Sequence, residues 1–261
     1  MRLALTARSA AKHQAKGTLA GAGEHGQRKM VQGSDRIAFL FDVDNTLLDN
    51  DAIQADLAAH LRREFGQRSV ARYWAIFEQL RAELGYADYL GALQRYRLEN
   101  LDDPALLKIS FFLLDYPFAE RLYPGAMAAL RHCRSWGLPV ILSDGDVVFQ
   151  PRKVQRAGLW DEVEGRVLIY LHKELMLGAV EGRYPAAHYV VIDDKLRILT
   201  AVKRLWAERV TTVFVRQGHY ALDAREVERY PAADLTLTHI RELASLSRAM
   251  LPAVASLPAS S

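Results

Sequence analysis

The sequence predicts an α/β protein, a three-layer sandwich around a mainly parallel sheet, with a helical module inserted behind the first strand. Three observations predict it. Short apolar runs of strand length alternate with stretches of helical periodicity, the pattern of a parallel sheet covered by helices. The first two runs lie too far apart for a single βα unit. Several runs end in a hydroxyl, a carboxylate or a lysine, as expected where strands deliver side chains to one edge of an open sheet.

Ile37, Ala38, Phe39, Leu40 and Phe41 form the first run, which reads as a buried parallel strand. It ends in Asp42, and Ser143, behind the next such run, lies 101 residues further on. A βα unit takes ~30 residues or somewhat more, which leaves ~70 to explain. These read as helical. Ile53, Leu57 and Leu61 fall at i, i+4 and i+8, and Tyr73, Ile76, Phe77 and Leu80 make a second stripe. Further helical patches cover 87–96 and 104–114, with Pro104 placed near a helix start. A helix over 124–136, closed by Gly137, precedes the second strand at 138–142. Strands follow at 166–171 and 188–192. A helix carrying Leu196, Leu199, Val202 and Leu205 then leads to a strand at 210–215. A short strand with Leu235 and Leu237 and a helix around 240–246 finish the core.

The chemistry gathers at the ends of these runs. In extended backbone, residues i and i+2 point the same way, so Asp42, Asp44 and Thr46 can converge where the strand meets its loop. Two carboxylates that close repel unless a cation or a proton sits between them. One ionised nucleophile beside one protonated acid is what covalent phosphoryl transfer needs. Taken alone, the stretch is equally an Asp- and Asn-rich turn. Downstream, however, the second run ends in Ser143, Asp144 and Gly145; the run at 166–171 enters His172 and Lys173; and the run at 188–192 ends in Asp193 and Asp194.

Asp42-Val-Asp44-Asn-Thr46, then Ser143, Lys173 and Asp193-Asp194, each in its strand context, resemble the four ordered motifs of the haloacid dehalogenase-like hydrolases. The resemblance spans about residues 37–240, with Asp144 where that family often has Asn. It implies a Rossmann-like catalytic core over 35–48 and 119–250 and an α-helical cap over 49–118. It implies Asp42 as nucleophile. Asp44 would protonate the leaving oxygen and then deprotonate the hydrolytic water. Thr46, Ser143 and Asp144 would meet the phosphoryl group, and Lys173 would balance charge on nucleophile and phosphate. The carboxylate of Asp42, the backbone carbonyl of Asp44 and Asp193 or Asp194 make an all-oxygen site suited to Mg²⁺. Asp193 and Asp194 also stand where a helix N-cap is expected. Lys153, on the helix after the second motif, competes with Lys173; the position of Lys173 behind a strand and 20 residues ahead of Asp193 favours Lys173.

The expected activity is therefore Mg²⁺-dependent hydrolysis of a small phosphorylated metabolite. A haloacid dehalogenase is the nearest alternative, but a departing halide needs no proton, which leaves Asp44 little purpose. A phosphomutase differs only in whether water intervenes. A phospho-acceptor signalling domain, from another class, needs no insertion of ~70 residues.

Composition narrows the field. Cys133 is the single cysteine among 261 residues, so an internal disulfide or a cysteine zinc cluster is excluded; it falls on an apolar helix face with Met127 and Leu130 and is expected in the core. The formal charge is +3, yet residues 1–30 hold six Lys or Arg against Glu24, a net of +5, which leaves −2 for the rest. No nucleic-acid footprint is expected on the folded part. No run reaches the ~20 apolar residues that span a membrane, and the expected location is the cytoplasm. Residues 1–34 read as a basic, disordered extension, with an organellar transit peptide or a true start at Met30 as alternatives, and 251–261 as a frayed tail. Gly21, Gly23 and Gly26 fit G-x-G-x-x-G but follow no strand, which excludes a dinucleotide site. Tyr86, Tyr89, Arg95, Tyr96 and Arg97 could meet an anionic substrate, but read first as an amphipathic helix face.

Overall fold

Five consecutive apolar residues suit a strand covered on both faces, and β1 (Ile37–Phe41) is that strand, buried along its whole length. The computed structural model describes residues 37–102 and 106–250, which belong to one compact unit. The expectations for 1–34, for 251–261 and for Pro104 lie outside the described residues. Four helices follow β1: α1 (Asn50–Phe65), α2 (Gln67–Leu84), α3 (Tyr89–Glu99) and α4 (Leu106–Asp115). Asp49 caps α1 by accepting from the Ala52 N–H at 2.9 Å, and Asp88 caps α3 by accepting from the Gly91 N–H at 2.6 Å. The stripes Ile53, Leu57, Leu61 and Tyr73, Ile76, Phe77, Leu80 turn inward to form the core of this helical module.

The chain then returns through α5 (Ala126–Arg134), β2 (Leu138–Asp144), α6 (Phe149–Arg156), α7 (Leu159–Glu162), β3 (Val167–Tyr170) and α8 (Leu177–Arg183). It ends with β4 (His188–Asp193), α9 (Leu196–Trp206), β5 (Val210–Val215), α10 (Gly218–Leu222), α11 (Ala224–Glu228) and β6 (Leu235–Leu237). Among the described residues all strand pairs are parallel, in the order β3-β2-β1-β4-β5-β6. Alternate residues of β1 feed opposite layers. Ile37, Phe39 and Phe41 join a cluster that continues into the helical module, while Ala38 and Leu40 pack towards α9. Cys133 is buried in the first of these clusters.

The helix expected around 240–246 is present as a 3₁₀ helix, Ile240–Ser245. Ile240, Leu243 and Leu246 are all buried, and their spacing of three is the 3₁₀ period. Among the described residues no helix is long and apolar enough to cross a membrane.

Two linkers join the helical module to the sheet, and they run side by side. Leu48 bridges Leu122 in antiparallel fashion, the Asp49 N–H donates to the Arg121 carbonyl at 2.8 Å, and the Tyr123 N–H donates to the Leu47 carbonyl at 2.9 Å.

Candidate active site

β1 lies between β2 and β4, and the chain leaves it to opposite sides of the sheet, which opens a crevice beyond the carboxyl end of β1. The three strands deliver carboxylates there. Asp42 is the first residue past β1, its N–H donating to the Ile192 carbonyl at 3.0 Å; Ser143 and Asp144 close β2; Asp193 closes β4, with Asp194 next.

Lys173 reaches this point from the turn after β3. Its Nζ lies 2.5 Å from Asp42 Oδ1 and 2.7 Å from Asp193 Oδ2, and the side chain is almost fully buried. Burial works against its charge, but Asp193, Asp42 and Asp144 together push its pKa well above the usual lysine range. The ammonium therefore stays charged. Burial likewise pushes the Asp193 carboxyl up, to about 6, against the pull of Lys173.

Asp42, Asp193 and Asp194 each offer an oxygen within 4.8 Å of the others. Both Asp194 oxygens are buried without a hydrogen-bond partner among the described residues, and burial pushes that carboxyl well above its usual range. Three buried carboxylates face two ammonium groups, Lys173 and Lys195, and the pKa of Lys195 is raised by Asp194, Asp42 and Asp193 in spite of its burial. An unsatisfied, all-oxygen cluster with surplus negative charge fits a hard divalent cation. The Asp44 carboxylate stands outside this cluster, so only its backbone carbonyl is left for the metal role the sequence suggests.

Asp44 pairs elsewhere. Its Oδ1 accepts from Lys153 Nζ at 2.7 Å, and its Oδ2 lies 3.4 Å from Gln150 Nε2. The two lysines that competed in the sequence thus take different carboxylates, Lys173 the one after β1 and Lys153 the one two residues on. Ser143 is buried, and its Oγ accepts from Gln150 Nε2 at 2.9 Å. Thr46 is fully buried and its Oγ1 has no partner among the described residues. Asp144 Oδ1 accepts from the Lys173 N–H at 2.7 Å, so Asp144 also fixes the loop that carries Lys173.

A cavity of about 650 Å³ opens above these groups. Asp44, Asp144, Gln150, Asp194 and Lys195 line its floor side; Asp42, Thr46, Ser143, Lys173 and Asp193 are not among its lining residues and lie buried beneath. The helical module supplies Gln54, Phe77, Arg81, Tyr86 and Tyr89. The aromatic and basic residues noted in the sequence therefore divide. Tyr86 and Tyr89 face the cavity, Tyr96 is core, and Arg95 pairs with exposed Glu83. Gln150, Lys195, His219 and Tyr220 escaped the sequence reading. Of these only Lys195 carried a signal, its place beside Asp194.

The edge of the site is braced at the start of α1. Asn45, at φ +61°, accepts through Oδ1 from the Asn50 and Asp51 N–H groups and donates through Nδ2 to Asp51 Oδ1. Asp51 also pairs with His219 at 2.6 Å; burial raises its pKa, but His219 and Asn45 hold the carboxyl below its usual range. Gly218 packs on Asn45 so closely that a Cβ would come within 2.4 Å of the Asn45 Cβ, and its φ is +71°. Gly218→Ala is expected to cost about 3 kcal/mol, from left-handed strain and overpacking together. Urea unfolding measures it, and a loss below about 0.5 kcal/mol, the scale of an ordinary surface change, would remove Gly218 from this brace.

A family profile for haloacid dehalogenase-like hydrolases matches residues 38–205. A solved haloacid dehalogenase-like hydrolase from Burkholderia xenovorans LB400 is 65% identical, over 82% of this chain and 99% of that one, with a TM-score of 0.78. An L-2-haloacid dehalogenase from Xanthobacter autotrophicus, with chloropropionic acid covalently bound, is 20% identical over 82% of this chain and 98% of that one, at a TM-score of 0.54. The HAD-hydrolase YfnB from Bacillus subtilis, bound to magnesium, is 17% identical over 80% of this chain and 97% of that one, at 0.55. The last two likenesses concern the fold alone. No curated protein sequence matches the chain significantly.

Proposed function

The chain belongs to the haloacid dehalogenase-like hydrolases, and within that family we propose that it is a Mg²⁺-dependent phosphatase of a small phosphorylated metabolite. The observation that carries this reading is Asp44. A second carboxylate lines the cavity two residues from Asp42, where a leaving oxygen would need a proton.

Lys173 occupies Asp42 Oδ1, which leaves Oδ2, without a partner among the described residues, as the attacking oxygen. As the Asp42–phosphorus bond forms, the bond to the leaving oxygen breaks and Asp44 supplies that oxygen with a proton. Asp44, now ionised, takes a proton from the water that attacks phosphorus, and Asp42 departs as the free carboxylate. Lys173 holds Asp42 in place throughout, while Thr46 and Ser143 offer hydroxyls to the phosphoryl oxygens. A divalent cation held by Asp42, Asp193 and Asp194 would offset the charge of the phosphate as the carboxylate approaches.

A second reading draws on the Xanthobacter neighbour, whose covalently bound chloropropionic acid shows what this fold can accommodate in that protein. Here Asp42 would displace halide from carbon, and water would then attack the carboxyl carbon of the ester. Turnover in ¹⁸O-water separates the two. Phosphate-ester turnover with Mg²⁺ should put label into inorganic phosphate and none into the Asp42 peptide. Turnover of chloropropionate with label entering Asp42, and none of any phosphate ester, would replace the phosphatase by a dehalogenase.

A further inference from the structure

We propose that Lys153 is a positioning residue for Asp44, setting the direction of the proton-transferring carboxylate and tying it to the base of the cap. This rests on the phosphatase reading above. Lys153 lies on α6, outside the four motifs, and its side chain is completely buried. A buried ammonium requires partners, and both hydrogen-bond partners here line the cavity. Nζ donates to Asp44 Oδ1 at 2.7 Å and to Asn50 Oδ1 at 3.1 Å, and it lies 5.0 Å from the centre of the Phe149 ring.

These contacts come from separate parts of the fold. Asp44 belongs to the loop after β1, and Asn50 is the first residue of α1, where the cap begins. Phe149 packs in turn on Tyr89 of the cap at 5.2 Å and on Phe118 of the return linker at 5.9 Å. Lys153 is thus seated where the core meets the base of the cap.

The geometry gives it a defined task. By holding Oδ1, Lys153 leaves Oδ2 as the oxygen that exchanges a proton; among the described residues it accepts a single long hydrogen bond, from Gln150 at 3.4 Å. A carboxylate fixed by one oxygen has a single soft rotation, and Gln150 limits it. Proton transfer needs this precision, since the acid must come within hydrogen-bond reach of the leaving oxygen. Because Asn50 shares the same ammonium, a cap that swings away takes one of the two Lys153 anchors with it.

Two esters of matched shape test the assignment. p-Nitrophenolate leaves with little need of a proton, and phenolate needs one more. kcat/KM covers only the steps through formation of the phosphoenzyme, so it isolates proton donation to the leaving group. Lys153→Met is expected to lower the ratio of kcat/KM for phenyl phosphate to that for p-nitrophenyl phosphate by about 30-fold, part of the usual general-acid contribution. In an Asp44→Asn background the same change should leave the ratio where Asp44→Asn alone puts it. A merely structural lysine would depress both esters equally, and an unchanged ratio in an active, folded Lys153→Met overturns the proposal. If that variant does not fold, Asn50→Ala decides, with an expected fall in the ratio of about fivefold and an unchanged ratio overturning it. Failure of the phosphatase reading looks different, because the wild-type protein would then hydrolyse neither ester and both claims would fall together.

Discussion

Asp42→Asn is expected to lower phosphate-ester turnover by at least about 10⁴-fold, the scale seen when a covalent nucleophile is removed. Asparagine keeps the shape of the side chain but offers a neutral amide in place of the attacking oxygen. The fold should tolerate the change. Lys173 loses the charge of its partner at 2.5 Å but keeps an amide oxygen there and Asp193 at 2.7 Å, and the surrounding carboxylates lose a like-charged neighbour. The check is kcat under saturating substrate and Mg²⁺, with circular dichroism and thermal unfolding on the same preparation. A folded variant that keeps more than about 1% of wild-type turnover, a loss of under ~3 kcal/mol in barrier terms, would transfer the nucleophile's role to another residue.

Much of this site could be read before any coordinates, and the boundary of that legibility has a physical cause. Asp42, Ser143 and Asp193 each sit directly behind an apolar run, and a parallel sheet gathers strand ends whatever the loops do, so local pattern and topology sufficed. The helical insertion was legible for the same reason, since its stripes are periodic. Lys153 was a different matter. Its partner Asp44 lies 109 residues away, and nothing in the periodicity of α6 tells a buried lysine from an exposed one. The same holds for Tyr86 and Tyr89 against Arg95, which share a segment but not a surface. The start of α1, where the helical module leaves the sheet, is braced by Gly218 against Asn45 and by His219 on Asp51, contacts from far along the chain that no local pattern shows. At 240–246 the sequence showed a helix but not its type. A spacing of three in Ile240, Leu243 and Leu246 fits both helical periods over so short a span, and the shorter period prevailed.

Asp194→Asn is expected to make the metal-free protein more stable while ending its response to Mg²⁺. In the folded chain both Asp194 oxygens are buried without a partner among the described residues, an arrangement that costs stability unless a cation answers it. Its pKa is raised by burial, in part against the pull of Lys195, so the folded state holds this proton more tightly than the unfolded chain does. The sign follows. Without metal, the Asp194 contribution is fully present below the ordinary carboxylate value of 3.8 and is lost as pH rises through the raised folded value. Asparagine carries no charge to desolvate, and in metal-free buffer at pH 8 it should gain about 1–2 kcal/mol in urea unfolding. Mg²⁺ at 100 times its Kd should add about 2.7 kcal/mol to the wild type by mass action and close to nothing to the variant. A variant less stable than wild type without metal would mean that Asp194 serves the fold, not a cation. An Mg²⁺ shift equal to that of the wild type would leave the ion on Asp42 and Asp193 without Asp194, and Asp193 would then be the carboxylate to replace.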